Sequence, residues 1–183
     1  MPTPDYDGLM EAAIAAASNH AKWVGAKYEG IKIVSNTAVG KVGQTFVENL
    51  CAALDLPFSV PMAGNKRLNQ SPWDIKILGK EFELKTATED VSGCFQFNHI
   101  RYHRPYDGAI FVGVAPDRIL FACHSKADLV TGKAGRLVSM EKGANASYKF
   151  TRHPLSLHPI AEFETRIREL ERFPIMLDHI RMS

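Results

Sequence analysis

Residues 72–86 read PWDIKILGKEFELKT, and the order of residue types in this stretch decides the fold. Two runs with β-branched and aromatic content, residues 73–78 and 81–86, flank Gly79-Lys80. Glycine at the first loop position suits a two-residue turn, so the spacing predicts a β-hairpin. With that turn, Leu78 pairs with Glu81, Lys76 with Glu83 and Asp74 with Lys85, and directly opposed residues share a face. Alternation then places Asp74, Lys76, Glu81, Glu83 and Lys85 on one side and Ile75, Ile77, Phe82 and Leu84 on the other. One face enters a core; the other gathers charge.

Two readings fit the charged face. It is a solvated surface with cross-strand Asp/Lys and Lys/Glu pairs, or its two carboxylates, one strand apart with a lysine beside them, form an open site for a hard cation that keeps water and takes a phosphate oxygen. Asp74, a gap of eight residues and then Glu83-Leu84-Lys85 resembles the PD-(D/E)XK nuclease signature. The usual proline is displaced by one position, since Trp73 separates Pro72 from Asp74.

That resemblance implies a mixed α/β (α+β) fold with an αβββαβ core, its mixed central sheet flanked by helices. It implies that Asp74 and Glu83, with the backbone carbonyl of Leu84, hold Mg²⁺, for which Mn²⁺ can substitute, and that Lys85 lies beside the water that attacks the phosphodiester. The chain is most similar in this respect to small type II restriction endonucleases, so double-stranded DNA is the implied substrate. Cutting both strands of a palindrome implies a homodimer.

Composition sets wide bounds. A chain of 183 residues with 45% hydrophobic and 23% charged residues matches one ordinary globular domain rather than a disordered or fibrous segment. The expected division is a helical extension over residues 1–37, a catalytic core over 38–125 and a basic hairpin with a final helix over 126–183. A net charge of +2 is too mild to demand a nucleic-acid partner, so any electrostatic argument rests on local distribution. Three cysteines without paired spacing suit a reducing compartment. Asp5, Asp7 and Glu11 ahead of the first apolar run do not give the layout of a secretion signal, and no apolar stretch approaches the ~18 residues of a membrane span. A cytoplasmic protein is expected.

In chain order, residues 9–28 are rich in alanine and predict a helix. Ser35-Asn36-Thr37 offers N-cap chemistry for a second helix to about residue 55, with Phe46, Val47, Leu50 and Leu54 as its buried stripe. Glu48 lies off that stripe. It is either solvent-facing or, as the resemblance implies for the first helix of such nucleases, an acidic residue that binds or orients the metal. Residues 58–60 suit a short strand and 61–71 a loop, on which Lys66 and Arg67 are candidate phosphate contacts or ordinary exposed cations.

Residues 91–103 predict a helix with Phe95 and Ile100 inward. The resemblance makes Gln96 a contact to metal-bound water or DNA, although Ile100 stands where some branches of the family carry a tyrosine. His99 and His103 are spaced for one helix face, which allows a zinc site that lacks an evident third ligand. Arg101 on the same segment is a further candidate DNA contact. Residues 109–114 are continuously apolar and predict a strand buried on both faces, with residues 119–123 as its neighbour. The resemblance spans residues 39–122.

Between residues 126 and 152, Lys126, Lys133, Arg136, Lys142, Lys149 and Arg152 outnumber Asp128 and Glu141. This segment, with a hairpin expected from residues 136–140 and 147–151, is read as a DNA-facing surface or a solvated basic hairpin. Pro159 opens a final helix with Ile160, Phe163, Ile167 and Leu170 on one face, and Glu162/Arg166 and Glu164/Arg168 pairs outside. Besides a restriction-type enzyme, the chain suits a repair or junction-resolving nuclease, or a DNA-binding module that keeps the fold without cleaving.

Overall fold

The computed structural model describes residues 21–68, 70–130 and 148–171, together with residues 5, 7, 8, 10, 137, 139 and 140. In chain order the elements are helix α1 (Asn36–Ala53), strands β1 (Phe58–Ser59), β2 (Met62–Ala63), β3 (Lys66–Arg67), β4 (Ile75–Ile77), β5 (Lys80–Thr88), β6 (Phe95–Ile100), β7 (Gly108–Val114) and β8 (Ile119–Ser125). Then follow helix α2 (Lys126–Val130), strands β9 (Ser139–Met140), β10 (Tyr148–Arg152) and β11 (His158–Pro159), and helix α3 (Phe163–Glu171). Six strands form one sheet in the order β1-β4-β5-β7-β8-β11, antiparallel except for the β5/β7 pair. A second sheet runs β6-β10-β9, and β2-β3 is a separate ribbon. The fold is a mixed α/β one, as expected.

The hairpin forms, but its turn sits one residue earlier than the glycine suggested. Leu78 (φ 49°) and Gly79 (φ 80°) both occupy the left-handed region, as the central pair of a type I′ turn must. The pairs are therefore Ile77 with Lys80, Lys76 with Glu81 and Ile75 with Phe82. Leucine in that conformation costs about 1–2 kcal/mol. Its side chain offsets this by packing on the core, and its N–H donates to the Pro57 carbonyl at 3.0 Å. Moving a turn by one residue displaces every cross-strand partner by two, so the faces survive. Ile75, Ile77, Phe82 and Leu84 enter one core, while Lys76 and Glu81 pair outside at 3.0 Å. One step past the ladder the register breaks: the Asp74 N–H donates to the carbonyl of Phe82, the residue already opposite Ile75. Gly79→Ala is expected to destabilise the protein by about 1 kcal/mol, because alanine strains at this φ. Urea unfolding measures it.

Helix α1 begins where its cap chemistry placed it: Ser35 Oγ accepts from the Ala38 N–H at 3.3 Å. Its most deeply buried positions are Gly43, Val47 and Cys51, and they lie on the first face of the large sheet with Leu84, Ile110 and Val112. Helix α3 covers the same face through Phe163, Ile167 and Leu170, and its outer side carries the expected Glu162–Arg166 and Glu164–Arg168 pairs. A 3-10 turn over Ile160–Glu162 precedes it. Strand β7 is buried along its whole length and β8 lies beside it, as expected.

The other face of the sheet is covered by strands, and here two expectations fail. Residues 95–100 are a strand paired with β10, not part of a helix. Phe95 and Phe97 both enter the second core, where Phe97, Phe111 and Phe150 meet at ring-centroid distances of 4.2 to 5.9 Å. At 100° per residue a helix would turn these two phenylalanines to opposite sides; a strand brings them together. The αβββαβ order is corrected accordingly, since the crossover between the parallel strands β5 and β7 carries β6 where the resemblance implies a helix. A register shift between Tyr148 and Phe150, beside His99 at φ 59°, returns Ile100 to the core.

At the other end of the chain, the helix expected over residues 9–28 does not reach Tyr28. Residues 21–23 form a 3-10 turn, and Gly25 at φ 69° leaves the helical region while Trp23 turns into the core. Residues 9 and 11–20 lie outside the described residues. Of the expected basic hairpin, Met140 pairs with Tyr148 and Ser139 with Lys149. Among the described residues, no helix is long and apolar enough to cross a membrane.

Candidate active site

Glu83 and Lys85 point to the face of β5 that carries Ala87, because the parallel register sets them beside Ala109 and Phe111 of the second core. Lys85 Nζ lies 2.9 Å from Glu83 Oε1. The Glu83 carboxylate is almost wholly buried, at 3% exposure. A strap over residues 101–107 encloses it. The Arg101 backbone N–H reaches both carboxylate oxygens, at 3.2 Å (Oε2) and 3.4 Å (Oε1).

The strap is pinned along its length. Asp107 exchanges two hydrogen bonds with Glu81, both 2.8 Å: its N–H donates to the Glu81 carbonyl and its carboxylate accepts from the Glu81 N–H. The Arg104 guanidinium donates to the Ser71 carbonyl at 2.7 Å, and the Arg104 carbonyl accepts from Lys126 Nζ. The Lys126 ammonium sits over the Tyr106 ring, 4.7 Å from its centroid. Burial lowers the Lys126 pKa, and the carboxylates of Glu83 and Asp107 oppose that shift. The Tyr106 phenol is pushed far above its ordinary value, first by burial and then by the neighbouring Glu83 carboxylate.

Asp74 reaches the site from the end of β4. Its Oδ2 accepts from the Leu84 N–H at 2.8 Å, its own N–H donates to the Phe82 carbonyl at 2.8 Å, and Gln44 Nε2 donates to its carbonyl at 3.2 Å. The N–H and C=O of one strand residue point to the same edge, so the Leu84 carbonyl faces the side on which Asp74 lies. Asp74, Glu83 and this carbonyl are all oxygen donors, and that set fits a hard cation such as Mg²⁺. Among the described residues no cluster of three or more Asp, Glu, His or Cys side chains is placed to hold an ion. A cation here would therefore keep most of its shell as water and phosphate.

The other candidates are placed elsewhere or held by partners. Glu48 meets Arg67 at 2.8 Å, as an ion pair without hydrogen-bond alignment, so it is not free in solvent. Lys66 and Arg67 lie on β3 of a short ribbon rather than on an irregular loop. Gln96 is on the outward side of β6, where its amide donates to Asp90 Oδ2 at 2.8 Å. Burial alone would raise the Asp90 pKa, but hydrogen bonds from Ser92, Cys94 and Gln96 hold it below the usual carboxylate range. His99 and His103 share no helix face, since the first lies in β6 and the second in the turn after it.

Of the basic candidates, Arg101 has an exposed side chain beside the site, and Lys126 is half-buried against Tyr106. Arg152 donates to the carbonyls of Thr151 and Leu137 and stacks on Phe150. Lys149 is on β10, and Lys133, Arg136 and Lys142 lie outside the described residues. The sequence reading missed Tyr106 and the Arg101 backbone. The only local signal was that residues 101–107 lead directly into β7, the strand parallel to the Glu83-Leu84-Lys85 segment.

No model of a known protein family matches the chain, and neither does any curated protein. Among solved structures the chain is similar to a bacterial homing endonuclease, with 13% sequence identity and a TM-score of 0.42, over 66% of this chain and 77% of that one.

Proposed function

We propose that the protein is a Mg²⁺-dependent DNA endonuclease that hydrolyses phosphodiester bonds. The observation that carries this reading is the set of contacts on β5: the Asp74 carboxylate accepts from the Leu84 N–H, between Glu83 and Lys85, and Lys85 pairs with Glu83. Asp74, Glu83 and the Leu84 carbonyl would hold the cation, which when bound lowers the pKa of water and neutralises charge developing on the phosphate. Lys85 leaves Glu83 to hold the attacking water and to face the same developing charge. The strap keeps bulk water off Glu83, which strengthens every electrostatic interaction made there. Arg101 would contact a phosphate next to the scissile one.

The class of DNA follows from the number of sites. One such site makes one nick, so a double-strand cut calls for two copies related by two-fold symmetry. Discrete plasmid fragments would indicate a restriction-type enzyme, and cuts confined to branched DNA a junction-resolving one. The engagement of Glu83 by Lys85 and Arg101 favours a second reading, a DNA-binding module that does not cleave.

Lys85→Ala separates the two. It is expected to lower the single-turnover cleavage rate about 10³-fold, in line with the loss of one charge-stabilising group, while DNA affinity measured in Ca²⁺ stays close to that of the wild type. Cleavage at the wild-type rate in this variant would remove Lys85 from the chemistry and sink the assignment.

A further inference from the structure

The β2-β3 ribbon belongs to neither core. Residues 62–68 are all exposed, while Pro61 and Ser71 on either side of them are buried. The Leu68 N–H donates to the Pro61 carbonyl at 3.0 Å and closes the base of the ribbon. Gly64, at φ 57°, makes a two-residue turn with Asn65 that leaves Ala63 opposite Lys66 and Met62 opposite Arg67. Three residues run from base to turn, a reach of about 10 Å. Residues 61–71 contain Lys66 and Arg67 and no acidic residue.

Two ties hold this ribbon beside the candidate site. Gln44 and Glu48 are four residues apart on α1 and so share a face. Gln44 donates to the Asp74 carbonyl at 3.2 Å, and Glu48 pairs with Arg67 at 2.8 Å. About 6 Å of helix separates the two contacts. The outgoing leg is fixed as well: the Ser71 carbonyl accepts from Arg104 of the strap at 2.7 Å, Ser71 Oγ accepts from the Trp73 N–H at 3.3 Å, and the next residue is Asp74. Opposed residues share a face, so with Arg67 held against α1, Ala63 and Lys66 face away from it. The side chains of Asn65 and Lys66 have no hydrogen-bond or ion-pair partner among the described residues.

The inference rests on the reading of the Asp74–Glu83 site as one that takes DNA. A duplex with its scissile phosphate there lies within reach of the ribbon. The major groove, about 12 Å wide and about 8.5 Å deep, admits a two-stranded ribbon, whereas the minor groove is only about 6 Å wide. We propose that the β2-β3 ribbon enters the major groove and that Asn65 and Lys66 read base edges there, with Arg67 as the anchor on α1. Asn65 offers a donor and an acceptor together, which fits the N6/N7 edge of adenine; the Lys66 ammonium fits O6 and N7 of guanine. The ribbon sets where the chain engages DNA and takes no part in the chemistry.

The test is selection from a randomised duplex library by the full chain in Ca²⁺, followed by sequencing of the bound DNA, for the wild type, Asn65→Ala and Lys66→Ala. The wild type is expected to enrich a base preference. Asn65→Ala is expected to lose discrimination at one base pair about tenfold, the scale of one side-chain contact to a base, with an unchanged melting temperature. Lys66→Ala loses it at a neighbouring base pair. A ribbon that only touches phosphate would act differently: Lys66→Ala would weaken all sequences alike and lower the salt dependence, and Asn65→Ala would leave the preference intact. That result overturns the proposal, as does a wild type that binds DNA without base preference. The same library in Mg²⁺ separates this inference from the nuclease reading. A preference controlled by Asn65 without any cutting overturns the nuclease reading and supports the ribbon's role, whereas cutting at sites that ignore both substitutions overturns the ribbon's role alone.

Discussion

Glu83→Gln is expected to abolish the proposed Mg²⁺-dependent cleavage, lowering the single-turnover rate by at least about 10³-fold, the scale on which removal of a group that stabilises developing charge is felt. Glutamine keeps the shape of the side chain and an oxygen for the Arg101 N–H, so the strap over residues 101–107 has no reason to open. It removes the negative charge. Lys85 loses its partner at 2.9 Å, and the oxygen set formed with Asp74 and the Leu84 carbonyl loses its buried carboxylate. Lys85 is itself 22% exposed along its side chain, so its ammonium can turn to water and the fold survives. DNA binding in Ca²⁺, followed by fluorescence anisotropy, is expected to remain near the wild-type value while plasmid nicking disappears. Retention of nicking would show that the chemistry lies elsewhere.

The largest expected effect on stability lies beneath the site, where α1 crosses β5. A Cβ on Gly43 would stand 1.8 Å from Thr86 Oγ1, 2.7 Å from its Cβ and 2.8 Å from its Cγ2. No rotation of Thr86 clears all three, so Gly43→Ala must lift the helix from the strand next to Lys85. Overpacking of this kind costs about 3 kcal/mol at the upper end of its range, offset by about 1 kcal/mol of helix propensity gained by alanine. A net loss of about 2 kcal/mol is expected in urea unfolding. Thr86→Ala in the same chain restores part of it, because it removes Oγ1 and Cγ2 and leaves only the Cβ contact. Made alone, Thr86→Ala should cost little, since Thr86 Oγ1 is buried without a partner.

What could be read from the sequence was whatever a local period controls. The inward set Ile75, Ile77, Phe82 and Leu84 was legible because a two-residue change of register leaves period-two faces intact. The register was not, since one glycine serves equally as the first residue of a type II′ turn or the second of a type I′ turn, and only the packing of Leu78 chooses between them. Strand β7 was legible as an uninterrupted apolar run. Residues 95–100 read as helix because His99 and His103 have helical spacing, while the deciding partner, Tyr148–Arg152, lies about fifty residues away. Non-local pairing overrides local pattern in such segments.

The same distinction applies to the site. Asp74, Glu83 and Lys85 are close in sequence, and their spacing alone singles them out as candidates. The Arg101 backbone reaches Glu83 through the β5 to β7 crossover, Tyr106 comes from the same crossover and Lys126 from the start of α2, and the Glu48–Arg67 ion pair joins α1 to the β2-β3 ribbon. None of these contacts has a period or a spacing to announce it. A carboxylate at 3% exposure is equally invisible in the sequence, where Glu83 stands among other charges on a strand that reads as half-solvated.

The most direct measurement is incubation of the purified full chain with supercoiled plasmid and with branched DNA, in Mg²⁺ and in excess chelator, with Glu83→Gln protein made in parallel. Nicked or linear products that require Mg²⁺ and are missing from the Glu83→Gln reaction are the predicted result. DNA that is bound but left intact in Mg²⁺, or products formed equally by both proteins, would contradict it.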